Sequence, residues 1–247
     1  MVTGATITVG ESTLKVSKNF DGNSDLESKD ISGELKITLP NPIYEGKVFV
    51  VPEYDNFSQA NVHSETKTIN LHIEYKEEVE VPCYLSKSSI EVPYEIIKSD
   101  IEVDKVEFKN KEYDPEDPSV VISSVIFIAA SEHFNSGEEI PLVVNKDYVI
   151  NESKISDEDI TCGQHNVSYK LDLTDQGKKN VSFKDDEESY EGTSLIAVEP
   201  RRVGLVSAEI KSREFEPDNF FVDILSAEFV YLPGDVELQY NTDYKVY

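Results

Sequence analysis

The chain has 247 residues, of which 38% are hydrophobic, and its formal net charge is -26. This length allows one or two full domains. The charge excludes direct nucleic-acid binding, because phosphate contacts need a basic surface, and it argues against an anionic membrane surface. Residues 1–10 lack the basic end and long apolar core of a signal peptide, and no run approaches the roughly 18 apolar residues of a membrane span. We expect no membrane insertion, and we expect any signal or anchor to lie outside this chain.

Short segments that alternate apolar and polar residues predict strands along the chain, and no helical pattern longer than about two turns occurs. The clearest strand is at 68–75, where the apolar side chains share one face. Pro82 and Pro93 predict edge or linker strands, because proline has no N–H to donate. In the first part of the chain the predicted strands are 1–14, 16–20, 34–39, 47–51, 68–75, 79–85 and 89–92.

The second part of the chain has the same character. A short helical turn is predicted at 152–160, and a charged loop or hairpin tip is predicted at 184–188. The predicted strands are 99–103, 106–112, 120–129, 140–144, 148–150, 167–173, 181–184 and 194–198.

A five-residue signature occurs three times in the chain, in the order basic, any, aromatic, acidic, turn former. The spacing between its aromatic residues is 93 and then 102 residues, which is the length of a small domain and not of a solenoid repeat. The three copies are Lys18-Asn19-Phe20-Asp21-Gly22, Lys111-Glu112-Tyr113-Asp114-Pro115 and Arg213-Glu214-Phe215-Glu216-Pro217.

A second shared word, Asn61-Val62 and Asn166-Val167, links the first two copies. The repeat predicts a tandem array of β modules. The short strands with turn signals between them predict that this all-β fold consists of immunoglobulin-like β-sandwich modules, with β-grasp-like modules as the alternative. We predict modules at 1–98 and 99–200, and at 201–247 a partial third module or a hairpin that completes the second. We therefore expect the chain to be a piece of a longer protein, unless that last hairpin closes the preceding module.

The signature has a structural interpretation. Its aromatic residue suits an inward strand position, and its acid can accept backbone N–H groups of the following turn. Gly22 can adopt a positive φ, whereas Pro115 and Pro217 cannot, so their turns must be of another type. The basic residue can pair with the acid across the turn. These features predict a latch that braces the fold.

The signature resembles the YDG-type repeat of bacterial surface proteins and large haemagglutinin-like adhesins. The likeness falls on Lys18, Phe20, Asp21, Gly22 and Asn61 in the first copy. In the second it falls on Lys111, Tyr113, Asp114 and Asn166. Copies two and three depart from the pattern at Pro115, Pro217 and Glu216. The resemblance implies a non-catalytic module of an extracellular, cell-surface protein.

The sequence also has candidate residues for a metal site, a disulfide and a covalent crosslink. The acidic stretches 114–117 and 157–159 are candidates for calcium, but neither has the Asp-x-Asp-x-Asp-Gly spacing. The histidines do not show the spacing of paired metal ligands, and the two cysteines do not indicate a disulfide scaffold. A crosslink between Lys18 or Lys111 and a late asparagine is a further alternative. The histidines are His63, His72, His133 and His165, and the cysteines are Cys83 and Cys162.

No catalytic motif stands out, and the chain has no phosphate-binding glycine loop. We therefore predict a non-enzymatic, monomeric stalk or adhesion segment without a cofactor. Its partner would be a host or cell-wall glycan or protein. The alternatives are a dedicated glycan- or protein-binding module and an accessory segment of a secreted hydrolase. Aromatic residues available for sugar stacking are Tyr44, Tyr54, Phe57 and Tyr84.

Overall fold

A computed structural model describes residues 4–78, 82–114, 116–130, 137–211 and 224–231. The fold is all-β and sandwich-like, as the alternating sequence pattern predicts. Its single α-helix among the described residues has four residues. Beyond this helix α1, short 3-10 turns occur at Ser28–Asp30, Pro42–Tyr44 and Lys184–Asp186. No helix in the described ranges is long and apolar enough to span a membrane.

The helix and the strands have the following bounds. The strands are β1 (Ala5–Ser12), β2 (Lys15–Asn19), β3 (Ile31–Ser32), β4 (Leu35–Thr38), β5 (Val48–Glu53), β6 (His63–Tyr75), β7 (Cys83–Leu85), β8 (Ser89–Ile97), β9 (Ser99–Phe108), β10 (Lys111–Glu112), β11 (Ile122–Ala129), β12 (Glu139–Ile140), β13 (Tyr148–Ile155), β14 (Gly163–Leu173), β15 (Val181–Phe183), β16 (Ser189–Glu199), β17 (Val203–Ile210) and β18 (Ile224–Tyr231). Helix α1 is Gly177–Asn180.

The contacts divide the described chain into two compact units. The first lies within Met1–Glu107, Ser123–Glu152 and Lys170–Glu191. The second lies within Phe108–Ile122, Ser153–Tyr169 and Gly192–Tyr247. These two units do not test the predicted module boundaries, so the modules 1–98, 99–200 and 201–247 stay a prediction.

Two sheets of the first unit pack on each other around an apolar core. One has the strand order β4-β1-β7 and the other has the order β3-β2-β8-β6-β5. Ile7 of β1, Cys83 of β7 and Val48 of β5 are buried together, with Val50 and Ile73 against them. Because these side chains come from both sheets, the core lies between the sheets, as in a sandwich.

The same strand order occurs a second time in the chain. The sheet β12-β11-β9-β15 repeats the order of β4-β1-β7, with β12 added at one edge. The sheet β10-β16-β14-β13 repeats the order of β2-β8-β6-β5. The parallel pairs recur too, since β2 pairs with β8 and β10 with β16, while β1 pairs with β7 and β9 with β15. Strands β17 and β18 form an antiparallel pair, as β1 and β4 do.

Two local expectations were wrong. The segment predicted as a helical turn at 152–160 begins inside a strand, because β13 continues to Ile155. Pro93 lies within β8, between β2 and β6, and not on an edge strand. The carbonyl of Ile97 accepts the N–H of Phe20, just beyond β2, so the backbone groups of alternate residues back to Pro93 face the β2 side. The missing N–H of Pro93 therefore points away from β6. The ladder with β2 begins only at Tyr94.

Leucine-to-alanine substitutions can test which strand faces form the core. Leu171 on β14 is 0% exposed, whereas Leu195 on β16 is 64% exposed. We expect Leu171→Ala to lower the free energy of unfolding by about 2–5 kcal/mol, through lost burial and a cavity. We expect Leu195→Ala to change it by less than about 0.5 kcal/mol. Urea denaturation followed by circular dichroism measures both, and equal losses would contradict the assigned faces.

Candidate functional site

The first copy of the signature lies at the end of β2, where this strand meets β8. Lys18 pairs with Ile96 in the parallel ladder. The N–H of Phe20 then donates to the carbonyl of Ile97 at 2.8 Å. The Phe20 side chain is buried, with 6% exposure, so it occupies the inward position that the sequence predicts.

The second copy occupies the equivalent place at the end of β10. Lys111 pairs with Val198 in the parallel ladder with β16. The N–H of Tyr113 donates to the carbonyl of Glu199 at 2.8 Å. The Tyr113 ring packs against the buried cluster of the second unit. In both copies, therefore, the lysine lies in a parallel ladder, and the N–H of the aromatic residue two positions later bonds to the partner strand.

The ammonium group of Lys18 is enclosed by the loop that follows it. Its Nζ donates to Asp21 Oδ2 at 2.9 Å, to Asn23 Oδ1 at 2.8 Å and to the carbonyl of Asp25 at 3.0 Å. The lysine side chain is 4% exposed, and the Phe57 ring centroid lies 5.6 Å from Nζ. A buried cation thus has three oxygen partners and an aromatic neighbour, which is what its burial requires.

The loop around this lysine is held by its own side chains. Asp21 Oδ1 accepts the N–H of Asn23 at 3.1 Å, and Asn23 Oδ1 accepts the N–H of Asp25 at 2.9 Å. Gly22 has a φ of 82°, and a Cβ atom there would lie 2.5 Å from Pro141 Cγ. The position therefore favours glycine for its backbone conformation and for its close neighbour.

Sequence reasoning missed the spacing of the oxygen donors in this loop. Asp21, Asn23 and Asp25 alternate as Asp-x-Asn-x-Asp, which is the first half of a calcium-loop pattern. In this protein the oxygen cluster surrounds the ammonium of Lys18. The pattern is visible in the sequence at 21–25, whereas the predicted candidate cation sites are the acidic stretches 114–117 and 157–159.

The second copy uses its lysine in a different way. Lys111 Nζ donates to Asp117 Oδ2 at 3.0 Å, and the exposed fractions of the two side chains are 12% and 52%. Hydrogen bonds from Ser119 and Lys111 lower the pKa of Asp117 to about 2. Asp114 Oδ1 accepts the N–H of Glu116 at 3.1 Å. The lysine thus pairs with the signature acid in the first copy, but in the second copy it pairs with Asp117, three residues after the signature acid Asp114. Of these two copies, only the first buries the lysine charge.

Lys18→Met and Lys111→Met form a matched pair of substitutions. Removing the buried ammonium leaves the oxygens of the first loop without their cation, and we expect a loss of about 3–5 kcal/mol in the free energy of unfolding. The pair in the second copy is more exposed, so we expect a loss of at most about 1 kcal/mol. Urea unfolding at pH 7 measures both values. Similar losses for the two variants would contradict the difference in burial.

The second shared word of the sequence does not occupy equivalent positions. Asn61 is exposed and lies in the loop that precedes β6, which begins at His63. Asn166 is also exposed but lies inside β14. The side chain of Asn180, which sequence reasoning did not single out, donates to Asn61 Oδ1 at 3.0 Å and accepts from the N–H of Val62 at 3.1 Å.

Each loop before β6 and β14 is held by a side chain of the strand that follows it. Glu65 Oε1 accepts the N–H of Ser58 at 3.0 Å. Burial opposes ionisation and is the largest single effect, but hydrogen bonds from Ser58 and His63 and the charge of Lys67 together lower the pKa of Glu65 to about 2. In the other loop, the buried His165 contacts Asp157 Oδ2 at 2.8 Å.

A Glu65→Gln variant tests this loop contact through its pH dependence. The pKa of Glu65 in the folded protein is about 2 against an ordinary value of 4.5. The stabilisation is therefore complete above the unfolded pKa and is lost as the pH falls toward 2. We expect Glu65→Gln to cost about 1–3 kcal/mol at pH 7 and to approach wild-type stability near pH 2. Glu91→Gln, on an exposed position of β8, controls for charge removal. A pH-independent cost would contradict the assignment.

Other predicted residues lie apart from this site or outside the described residues. His133 and the third signature, with Arg213, Phe215 and Glu216, lie outside the described residues.

Cys83 is buried, and burial raises the pKa of its thiol, whereas Cys162 is exposed. Of the four aromatic residues considered for sugar stacking, only Tyr84 is strongly exposed. In the part of the chain that the structure describes, no three His, Cys, Asp or Glu residues are grouped to hold a metal ion.

Comparison with known proteins adds no assignment to this geometry. No protein-family model matches the chain, and no curated protein or solved structure matches it. The resemblance to YDG-type repeats therefore stays a prediction from the signature residues.

Proposed function

We propose that the chain is a non-catalytic repeat segment of an extracellular, bacterial cell-surface protein and acts as a stalk or spacer. In this proposal the repeating unit is an immunoglobulin-like β-sandwich module. The recurrence of one strand order, with the same two parallel pairs, supports a tandem repeat. Because the copies have different loop chemistry, they share a scaffold more closely than they share a site.

The use of the signature side chains is the observation that carries this proposal. The polar atoms of Lys18 and Asp21 bond within their own loop, and Lys111 bonds to Asp117. A binding or catalytic residue needs polar atoms directed toward a ligand. These groups are instead used to fold the loop, which favours a bracing role over a reactive one.

A glycan- or protein-binding module is the second candidate, and two exposed tyrosine side chains favour it. Tyr75 and Tyr84 are 46% and 58% exposed, respectively. Tyr75 also lines an open groove of about 530 Å³ together with Lys76, Glu77 and Pro82. Exposed tyrosine rings can stack on sugar faces. In contrast, Phe57 is buried beside Lys18 and is used by the fold.

Surface labelling tests the location. Antibodies raised against the purified chain should label intact, unpermeabilised cells of the bacterium that encodes it. Labelling only after permeabilisation would contradict the proposal.

A ligand screen separates the spacer from the binding module. We expect glycan arrays and extracellular-matrix proteins to give no specific binding to the chain. Specific binding that is lost in both Tyr75→Ala and Tyr84→Ala, while circular dichroism stays unchanged, would favour the second candidate and count against a pure spacer.

A further inference from the structure

The second residue after the last strand of each predicted module donates a hydrogen bond to the signature of that module. Ile97 and Glu199 accept from the signature aromatic residues, and Ser99 and Arg201 each stand two residues further on. Ser99 Oγ donates to the carbonyl of Phe20 at 2.7 Å, and Ser99 is 0% exposed. Arg201 therefore occupies the position in the second copy that corresponds to Ser99 in the first.

Arg201 contacts the second signature in turn. Its guanidinium Nη1 donates to Asp114 Oδ2 at 3.4 Å, and the two side chains are 15% and 28% exposed. The donor differs from Ser99 in type, and the acceptor is a carboxylate in place of a carbonyl. The shared feature is the location, where the first residues of one predicted module meet the signature of the preceding one.

A second set of contacts from further along the chain reaches Gly22 of the first signature and the loop that carries Asn61 and Val62. Asn180 is 2% exposed, and its amide group both donates to Asn61 and accepts from Val62. Pro141 lies against Gly22, where no Cβ atom could be placed without a clash. These residues belong to the predicted segment 99–200 and contact the loops of the predicted segment 1–98, all within the first compact unit.

From these contacts we infer that the signature end of each module is a docking face for the following module of the same chain. A donor two residues after the last strand fixes each junction, and the amide of Asn180 adds to the first, so that successive modules are connected by specific hydrogen bonds and not by a free linker. This inference rests on the proposed spacer function and gives a physical basis for its stiffness. It assigns Ser99, Arg201 and Asn180 as junction residues, and it explains why the signature is retained where the loop chemistry differs.

The backbone amide of Val62 is a direct reporter of this junction. Its N–H donates to the side-chain oxygen of Asn180, which lies 118 residues away in sequence. Amide hydrogen exchange of the full chain, measured by NMR at neutral pH, should therefore show protection at Val62. We expect Asn180→Ala to accelerate exchange at Val62 by on the order of tenfold, because the N–H loses its acceptor.

Two controls separate loss of the junction from loss of the fold. Asn180→Asp retains a side-chain acceptor for Val62 while removing the N–H donor to Asn61. Exchange at Val62 should therefore stay within about threefold of wild type, because its hydrogen bond is kept. The amide of Lys178 in α1 donates to the carbonyl of Thr174, which precedes the helix, and it should stay protected in both variants. Asn110→Ala, at an exposed turn position between β9 and β10, should leave Val62 unchanged.

Each outcome decides the inference. Fast Val62 exchange in the wild-type chain would overturn the docking face. So would equal Val62 exchange in the wild type and Asn180→Ala. If Asn180→Ala does not fold, Asn180→Asp decides, since fast exchange at Val62 with Lys178 still protected would overturn it. These readouts do not depend on surface labelling or ligand screening, so the junction and the spacer function can fail separately.

Discussion

The burial of one lysine ammonium group organises the first signature loop. A charge removed from water is tolerated only where oxygen atoms replace its hydration, and here three oxygens of one short loop do so. The loop conformation, the end of β2 and the aromatic ring of Phe57 therefore depend on the same cation. In the second copy the corresponding lysine lies nearer to solvent and its carboxylate partner is 52% exposed, so that loop is less constrained by a buried charge.

The same loops connect the local latch to the contacts at the junction. Phe20 contributes its side chain to the core and its carbonyl to Ser99. Asp114 contributes one oxygen to its own turn and the other to Arg201. The signature residues therefore both stabilise their own turn and bond to the segment that follows the last strand. This dual use is consistent with copies whose surrounding residues differ widely.

Alternation of apolar and polar residues was sufficient to predict most strands, because a half-buried strand imposes a period of two on its sequence. The signature was also found, since its residues are close in sequence. The contacts of Asn180 with Asn61 could not be predicted, because they join residues 119 apart in the chain through the packing of the strands. The helical turn at 152–160 failed because β13 continues to Ile155, where pairing within the sheet outweighs a weak local preference.

The Asn-Val words show the limit of matching short sequences. Asn61 lies before its strand and Asn166 lies within one, although the words look alike in one dimension. Their likeness in sequence is not matched by their positions, whereas Lys18 and Lys111 have equivalent pairing in a ladder. Repeated residues have the same role where they occupy the same position in the sheet. A shared residue type alone does not ensure this.

The parallel pairing of β2 with β8 has a mechanical consequence. A force applied to the chain before Lys15 and after Ile97 would pull β2 by its amino end and β8 by its carboxyl end. Parallel strands pulled in this way slide along each other, so the hydrogen bonds between them are loaded together and not one after another. The ladder that contains Lys18 opposite Ile96 is therefore placed to resist stretching.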